Sequence, residues 1–131
     1  MAAVDRLILD SGAVIAASWG EARSISHIGS ARRRRVDVSV PAVVLAETLR
    51  GRRDDAPVHR VVNAVGRVTE TTEEDGRLAG RLLGEHDMNA TVDALIVAST
   101  VRLGGGVILT GDADDLTRLA SGFDEVHVEP I

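Results

Sequence analysis

Short apolar runs alternate with helical stretches along the whole chain, and this alternation constrains the fold more than any other feature. Runs short enough for buried strands occur at residues 6–9, 36–40, around 68, 107–110 and 126–129. Helical patterns or helix-start signals occur between them at residues 11–17, 21–35, 41–52, 56–65, 72–86, 91–103 and 112–120. Strands that alternate with helices form parallel sheets with helices packed on both faces. We therefore predict an α/β fold, a three-layer α/β/α sandwich with a mostly parallel central sheet.

The length and composition indicate one domain that needs no covalent support. The chain has 131 residues, of which 44% are hydrophobic. This is enough to bury one sizeable core without disulfides or a structural metal. The sequence shows no internal repeat, long linker or low-complexity tail. We expect residues 1–131 to form a single domain.

Two residue types are missing, and their absence excludes several kinds of chemistry. The sequence contains no Cys and no Lys, so all 15 basic residues are Arg. Disulfides, thiolate metal sites, a Walker-type phosphate loop and a lysine Schiff base are therefore impossible. The formal net charge of −5 also argues against a generic basic nucleic-acid-binding domain.

The start of the sequence has no features of a targeting or membrane segment. The first ten residues, MAAVDRLILD, contain an acid early and only a few consecutive apolar residues. This stretch is too short and too charged for a secretory signal or a membrane span. We expect a cytoplasmic protein that does not enter a membrane.

Four acidic residues stand near the points where apolar segments reach one edge of the predicted sheet. Asp10 directly follows the first strand, and Asp112 follows the fourth after one glycine. Glu47 lies about two helical turns beyond the second strand, and Asp93 opens the apolar helix at residues 91–103. Sites in open α/β sheets form beyond the carboxyl ends of the strands. We expect these acids to converge there.

Each acid also has an ordinary structural explanation. Asp10 could cap the helix that follows it, and Asp93 could interact with the dipole of its own helix. Glu47 stands in a nearly uniform apolar segment, so we expect it to be largely covered, and a salt bridge to an arginine would satisfy it. Any of Asp112, Asp114 and Asp115 could cap the last helix.

A cluster of these acids would favour a hard divalent cation. Neighbouring carboxylates repel one another unless they are protonated or neutralised. The sequence offers no Cys and no paired His at ligand spacing. Because oxygen-only ligands favour Mg²⁺ or Mn²⁺ over zinc, we expect one of these two ions.

The four acidic segments resemble the motifs of PIN-domain ribonucleases, and most closely those of VapC-type toxins of bacterial toxin–antitoxin pairs. The segments are LILDSGAVIA, VVLAETLRG, TVDALIVAST and VILTGDADDL. The resemblance covers nearly the whole chain. It implies that Asp10, Glu47, Asp93 and Asp112 are catalytic and bind metal, with Asp115 or Asp114 as an auxiliary ligand.

The resemblance also implies an activity and partners. Such proteins are endoribonucleases that use Mg²⁺ or Mn²⁺ to activate water and stabilise the transition state. In-line attack by that water would leave a 5′-phosphate and a 3′-hydroxyl. The implied partners are an RNA substrate and a cognate antitoxin that also binds DNA, and the implied assembly is a homodimer.

One departure from the family pattern keeps a second hypothesis open. Many relatives carry a hydroxyl residue two positions after the first Asp, where this chain has Gly12, although Thr110 keeps a hydroxyl two residues before Asp112. The alternative is therefore a catalytically impaired PIN-like domain that acts by binding RNA or protein. A haloacid-dehalogenase-like phosphatase is less consistent with the sequence, because it would need a second Asp where Gly12 stands.

A run of four arginines at residues 32–35 could contact RNA phosphates. It could equally be a solvated helix end whose cations complement the helix dipole. Trp19 and Phe123 are the only aromatic residues, so base stacking cannot be the main contribution to RNA binding.

Overall fold

The computed structural model describes residues 6–131 as alternating strands and helices. The strands are β1 (Arg6–Leu9), β2 (Asp37–Pro41), β3 (Val68–Thr69), β4 (Gly106–Thr110) and β5 (Val126–Pro130). The helices are α1 (Ser11–Ser18), α2 (Ala22–Arg33), α3 (Ala42–Thr48), α4 (Ala56–Val65), α5 (Glu73–His86), α6 (Thr91–Arg102) and α7 (Ala113–Leu119). The predicted alternation is confirmed, with most boundaries within one or two residues of those expected.

The five strands form one sheet in the order β3-β2-β1-β4-β5. Every pairing is parallel, so the expected mostly parallel sheet is entirely parallel among the described residues. The chain leaves β1 toward β2 and β3 and later returns to β4 on the other side of β1. The direction of winding therefore reverses between β1 and β4. Such a reversal opens a crevice at the carboxyl ends of the strands.

The helices form two layers. Helix α1 contacts α2, α3 and α4, whereas α5, α6 and α7 contact one another. Right-handed crossovers in a sheet of this order place the first group on one face and the second group on the other. The three-layer sandwich is thus confirmed. Its core includes the fully buried side chains of Ile8, Leu9, Ile96, Ile108 and Leu109.

Helix α3 ends earlier than the sequence predicts. We expected it to continue to about Arg52, but it ends at Thr48. The buried carboxylate of Asp55 accepts hydrogen bonds from the amides of Arg50, Gly51 and Arg52 at 2.9, 2.7 and 3.2 Å. These amides are therefore bound in a loop, where Gly51 has a φ of 75°. A side chain distant from the helical pattern thus ends α3.

No helix among residues 6–131 is both long enough and apolar enough to cross a membrane.

Candidate active site

Asp10 directly follows β1 and lies beneath the crevice at the carboxyl edge of the sheet. Its side chain is buried, and its Oδ1 accepts a hydrogen bond from the amide of Ala13 at 2.9 Å. Asp10 therefore caps α1, as its ordinary explanation required. Capping uses one of the carboxylate's acceptor positions and leaves the others available. The cap fixes the orientation of the carboxylate without excluding a second role.

The surroundings of Asp10 act on its ionisation in opposite directions. Burial raises its pKa above the ordinary value, and the charge of Glu47 adds to this. Hydrogen bonding by the Thr110 side chain and by the amides of Ala13 and Gly111 acts the other way. Thr110 has one hydroxyl proton, which can point to Asp10 or to the carbonyl oxygen of Asp112 at 2.9 Å. Burial prevails, and the pKa of Asp10 is raised.

Asp93 lies in the first turn of α6 and is the residue on which the other acids converge. Its side chain is half-buried. Its pKa is raised to about 6, chiefly by burial and further by nearby negative charges. These charges belong, in decreasing order of effect, to Asp10, Asp115, Glu47 and Asp112. Acids from four segments of the chain thus act on the ionisation of one carboxylate.

The three acids after β4 have different positions. Asp112 is the N-cap of α7, and its side chain accepts a hydrogen bond from the amide of Asp114 at 3.3 Å. Asp115 is half-buried and affects the pKa of Asp93 more than Asp112 does. Asp114 is exposed. Both Asp112 and Asp115 therefore act on the ionisation of Asp93.

Glu47 lies in the last turn of α3, and its expected burial is wrong. The residue is exposed, because α3 has only seven residues and its only fully buried side chain is Val44. No salt bridge holds Glu47 among the described residues. Its Oε1 instead accepts a hydrogen bond from the Ser11 hydroxyl. Ser11 thereby joins the turn after β1 to the end of α3.

Gly12 fits a site where two turns touch. A Cβ added to Gly12 would lie 3.0 Å from both the Cα and the amide nitrogen of Gly111. The turn that carries Asp10 therefore meets the turn that carries Asp112, backbone against backbone. This contact leaves little space at position 12 for the hydroxyl side chain that the family resemblance led us to expect there.

The role of Ser11 is not apparent from the sequence. The family resemblance points to a hydroxyl two positions after Asp10, whereas the structure has one directly after it, bonded to Glu47. A hydroxyl beside the first acid was a visible signal. Its partner, 36 residues away, could not be inferred from spacing.

The acids are neighbours but not a preformed coordination sphere. Within residues 6–131, no group of three or more His, Asp or Glu side chains has a geometry that could hold a metal ion. The residue types do fit a hard cation. All five donors are carboxylates, and their mutual repulsion, seen in the pKa of Asp93, would be relieved by positive charge.

The four arginines at residues 32–35 lie away from this site. They are exposed at the end of α2, next to the start of β2. This is the opposite edge of the sheet from Asp10. They cannot contact the same phosphate as the carboxylates.

Comparison with solved structures shows the same fold in distant sequences. VapBC2 from Rickettsia felis, bound to a DNA fragment from its promoter, matches with a TM-score of 0.74 and 11% identity, covering 96% of this chain and 98% of that one. DNA-bound VapBC from Salmonella typhimurium matches with a TM-score of 0.70 and 15% identity, covering 95% and 97%. A toxin–antitoxin complex from Klebsiella pneumoniae matches with a TM-score of 0.68 and 14% identity, covering 92% of this chain and 94% of that one.

The sequence itself was also compared with curated proteins and with protein families. No curated protein matches it. The PIN domain family matches residues 7–122, a span that includes all five clustered acids and both turns that meet at Gly12. The chain therefore belongs to the PIN domain family.

Proposed function

We propose that this protein is a metal-dependent endoribonuclease and the toxin of a toxin–antitoxin pair. The observation that carries the nuclease part is the set of carboxylates around Asp93, which come from four segments and converge at the reversal between β1 and β4. A carboxylate cluster of this kind suits hydrolysis of a phosphodiester, where metal charge is needed to bind and polarise an anionic substrate.

Each acid has a part in holding the proposed Mg²⁺ or Mn²⁺. Asp10, Glu47, Asp93 and Asp112 would be the ligands, with Asp115 beside them. When bound, the cation would lower the pKa of a water molecule and stabilise the negative charge that develops on the phosphate. The Ala13 amide and the Thr110 side chain orient Asp10, and the Ser11 hydroxyl orients Glu47.

Cleavage of RNA by the purified protein tests this proposal. We expect cleavage with Mg²⁺ or Mn²⁺, none with chelator, and products that carry a 5′-phosphate and a 3′-hydroxyl. Asp93→Asn should remove activity, because it takes away the carboxylate nearest the other charges. Asp124→Asn is the matched control, since Asp124 is an exposed acid in the turn before β5.

Two results would contradict the proposal in different ways. Cleavage that persists in chelator and in Asp93→Asn would exclude the metal-dependent mechanism. RNA that is bound but never cut, with either metal, would favour the catalytically impaired PIN-like domain. Gly12, which leaves little room for the family's hydroxyl, is the observation that keeps this second candidate in view.

The toxin part of the proposal is supported by the matched structures, which are of VapBC and other toxin–antitoxin complexes. We propose a cognate antitoxin as the protein partner and a homodimer as the assembly. Expression of the chain alone should arrest growth of the host, and the Asp93→Asn variant should not. Light scattering during size exclusion measures the oligomeric state. Harmless expression of an active nuclease would contradict the toxin role.

A further inference from the structure

Arginines are concentrated in one part of the chain. Residues 32–69 contain nine arginines and four acids, which gives this segment a formal charge of +5. The rest of the chain contains six arginines and 16 acids, a formal charge of −10. The net charge of −5 therefore hides a strongly basic segment, which comprises the end of α2, then β2, α3, α4 and β3.

Helix α4 connects the two edges of the sheet through this segment. It begins after the loop that follows α3, which itself starts at the carboxyl end of β2. It ends at Gly66, which borders the same surface depression as Asp37 at the start of β2. Its ten residues span about 15 Å at 1.5 Å per residue. The helix thus runs from the carboxylate edge to the opposite edge.

The outer face of α4 carries positive charge and no acid. Val58 is buried on the inner face, whereas His59, Arg60 and Asn63 are exposed on the outer face. Arg53 lies in the short turn before the helix and Arg67 directly follows Gly66 at its end, and both are exposed, as Arg60 is. No Asp or Glu occurs between Ala56 and Thr69.

Further arginines extend this line at its far end. Arg32 and Arg35, at the end of α2, border the same surface depression as Arg67. Asp37 also borders it and lies 3.8 Å from Arg67, but both side chains are about 60% exposed, at 58% and 62%. A long, exposed ion pair of this kind is weak and leaves the guanidinium available. We call Arg53, Arg60, Arg67, Arg32 and Arg35 the basic band.

The loop at the near end of the basic band is held in place. The Asp55 carboxylate accepts amide hydrogen bonds from Arg50, Gly51 and Arg52. The loop that carries Arg53 is therefore ordered before any ligand arrives, and ordering in advance lowers the entropy cost of binding. This loop starts two residues after Glu47, so Arg53, where the basic band begins, follows Glu47 by six residues along the chain.

The chemistry of the basic band suits a phosphate backbone better than a protein surface. Protein interfaces are centred on buried aromatic and apolar side chains. Among residues 6–131, the two most exposed large apolar residues, Trp19 and Ile25, lie elsewhere, at the end of α1 and on α2, and Val68, which follows Arg67, is the one such residue beside the band. The band instead offers several exposed guanidinium groups, which bind phosphate in a bidentate manner.

We propose that the basic band is a binding track for the phosphate backbone of RNA, and that it leads the strand from the carboxylate edge along α4 to the opposite edge of the sheet. The inference rests on the proposed ribonuclease function for the identity of the polyanion. It adds that substrate is held over the length of the molecule and not only at the cleaved bond.

Binding of labelled single-stranded RNA in chelator tests this inference without cleavage. The variant Arg53→Gln/Arg60→Gln/Arg67→Gln should bind RNA at least tenfold more weakly than the native protein. The slope of log affinity against log salt should fall by about 2, at about 0.7 for each lost phosphate contact with a single strand. The control Arg77→Gln/Arg81→Gln/Arg118→Gln removes the same charge from outside the band. It should keep the native affinity and slope.

A charge-retaining variant separates loss of binding from loss of folding. Arg53→Lys/Arg60→Lys/Arg67→Lys should recover most of the affinity and the salt slope. Circular dichroism should show that all three variants are folded. Equal RNA binding by the band and control variants would overturn the inference, and so would absence of RNA binding by the native protein. Unchanged RNA binding with loss of an associated protein would make the band a protein-binding surface.

This experiment and the cleavage assay fail independently. If the basic band binds RNA but no metal supports cleavage, the track stands and the nuclease proposal falls. If metal-dependent cleavage occurs with the same KM in the band variant and the native protein, the nuclease stands and the track falls. A raised KM with an unchanged kcat supports both.

Discussion

The raised pKa of Asp93 should make the stability of the metal-free protein depend on pH. Its pKa is raised from 3.8 to about 6 by burial and by the neighbouring carboxylates. Between these two values the folded protein binds more protons than the unfolded chain. The free energy of unfolding should therefore fall as pH rises through this window and stay lower above it. Because Asp93 is only half-buried, solvent screens its charge, and we expect its ionisation to lower the free energy of unfolding by about 1 kcal/mol.

Urea unfolding in chelator, repeated across the window, measures this effect. Asp93→Asn should lose less stability than the native protein as pH rises, and at neutral pH it should be the more stable of the two. Asp124→Asn should follow the native profile. A native profile that rises through the window would contradict the assigned pKa direction.

Ser11 is expected to affect activity through Glu47. Ser11→Ala removes the hydroxyl that donates to the Glu47 carboxylate, so Glu47 becomes free to turn toward solvent. We expect cleavage to fall by about tenfold, the effect of one hydrogen bond of about 1.4 kcal/mol. Mn²⁺ affinity, measured by titration calorimetry, should weaken in parallel. Ser11→Thr, which keeps the hydroxyl, should retain activity, and Ser18→Ala serves as the matched control on the same helix.

At the scale of elements, α5 and α6 are held together by one buried charge pair. Asp75 is 1% exposed and receives Arg102 Nε at 2.7 Å and Nη2 at 3.2 Å, together with the Thr72 amide at 3.0 Å. Burial alone would raise the pKa of Asp75, but the hydrogen bonds from Arg102 and Thr72 outweigh it and lower the pKa. The pair therefore stabilises the fold above pH 4 and loses this effect as pH falls below the ordinary pKa of 3.8.

Removing one member of this pair should be costly. Arg102→Met leaves a buried carboxylate with only the Thr72 hydrogen bonds, and we expect a loss of about 2 to 4 kcal/mol in urea unfolding. Arg77→Met is the control, because Arg77 and Glu73 form a pair on the same helix that is about 80% exposed, at 79% and 80%. Its loss should stay below about 1 kcal/mol. Equal losses of unfolding free energy in Arg102→Met and Arg77→Met would mean that the burial of Asp75 does not make the loss of its partner more destabilising.

The elements themselves were predictable because their signals are local. Strands such as β4 and helices such as α4 follow from apolar runs, helical spacing and glycines, and their positions are confirmed within one or two residues. The end of α3 was not predictable, since it depends on the Asp55 carboxylate. The exposure of Glu47 was missed for a related reason, because a short helix at the sheet edge covers few of its residues.

At the scale of the whole molecule, bound Mg²⁺ should stabilise the fold. A ligand that binds only the folded state adds about 2.7 kcal/mol at 100 times its Kd. We expect a higher Tm with Mg²⁺ than with chelator. The difference should be larger above pH 6 than below it, because Asp93 must be ionised to bind a cation.

Scanning calorimetry of the native protein and of Asp93→Asn checks this expectation. The variant should show little or no increase in Tm with Mg²⁺, while Asp124→Asn should show the native increase. An increase that is identical in all three proteins would assign the effect to general salt and not to the carboxylate cluster.

The edge at which the candidate site lies could be predicted from topology, but its internal contacts could not. Asp10 and Asp112 follow the parallel strands β1 and β4, so both lie at the carboxyl edge of the sheet. Which acid of the last segment faces Asp93 depends on the turn into α7, and spacing left Asp112, Asp114 and Asp115 as alternatives. The order of the strands likewise follows from packing between distant segments.

The contact between Gly12 and Gly111 limits how this chain can change during evolution. A side chain at position 12 would press on the backbone of the other turn, so a hydroxyl there requires Gly111 to move as well. The Ser11 hydroxyl already donates to Glu47. A hydroxyl added at position 12 would therefore press on the other turn without supplying a contact that Glu47 lacks. The two turns are therefore coupled, and position 12 can take a side chain only together with a change in the turn at Gly111.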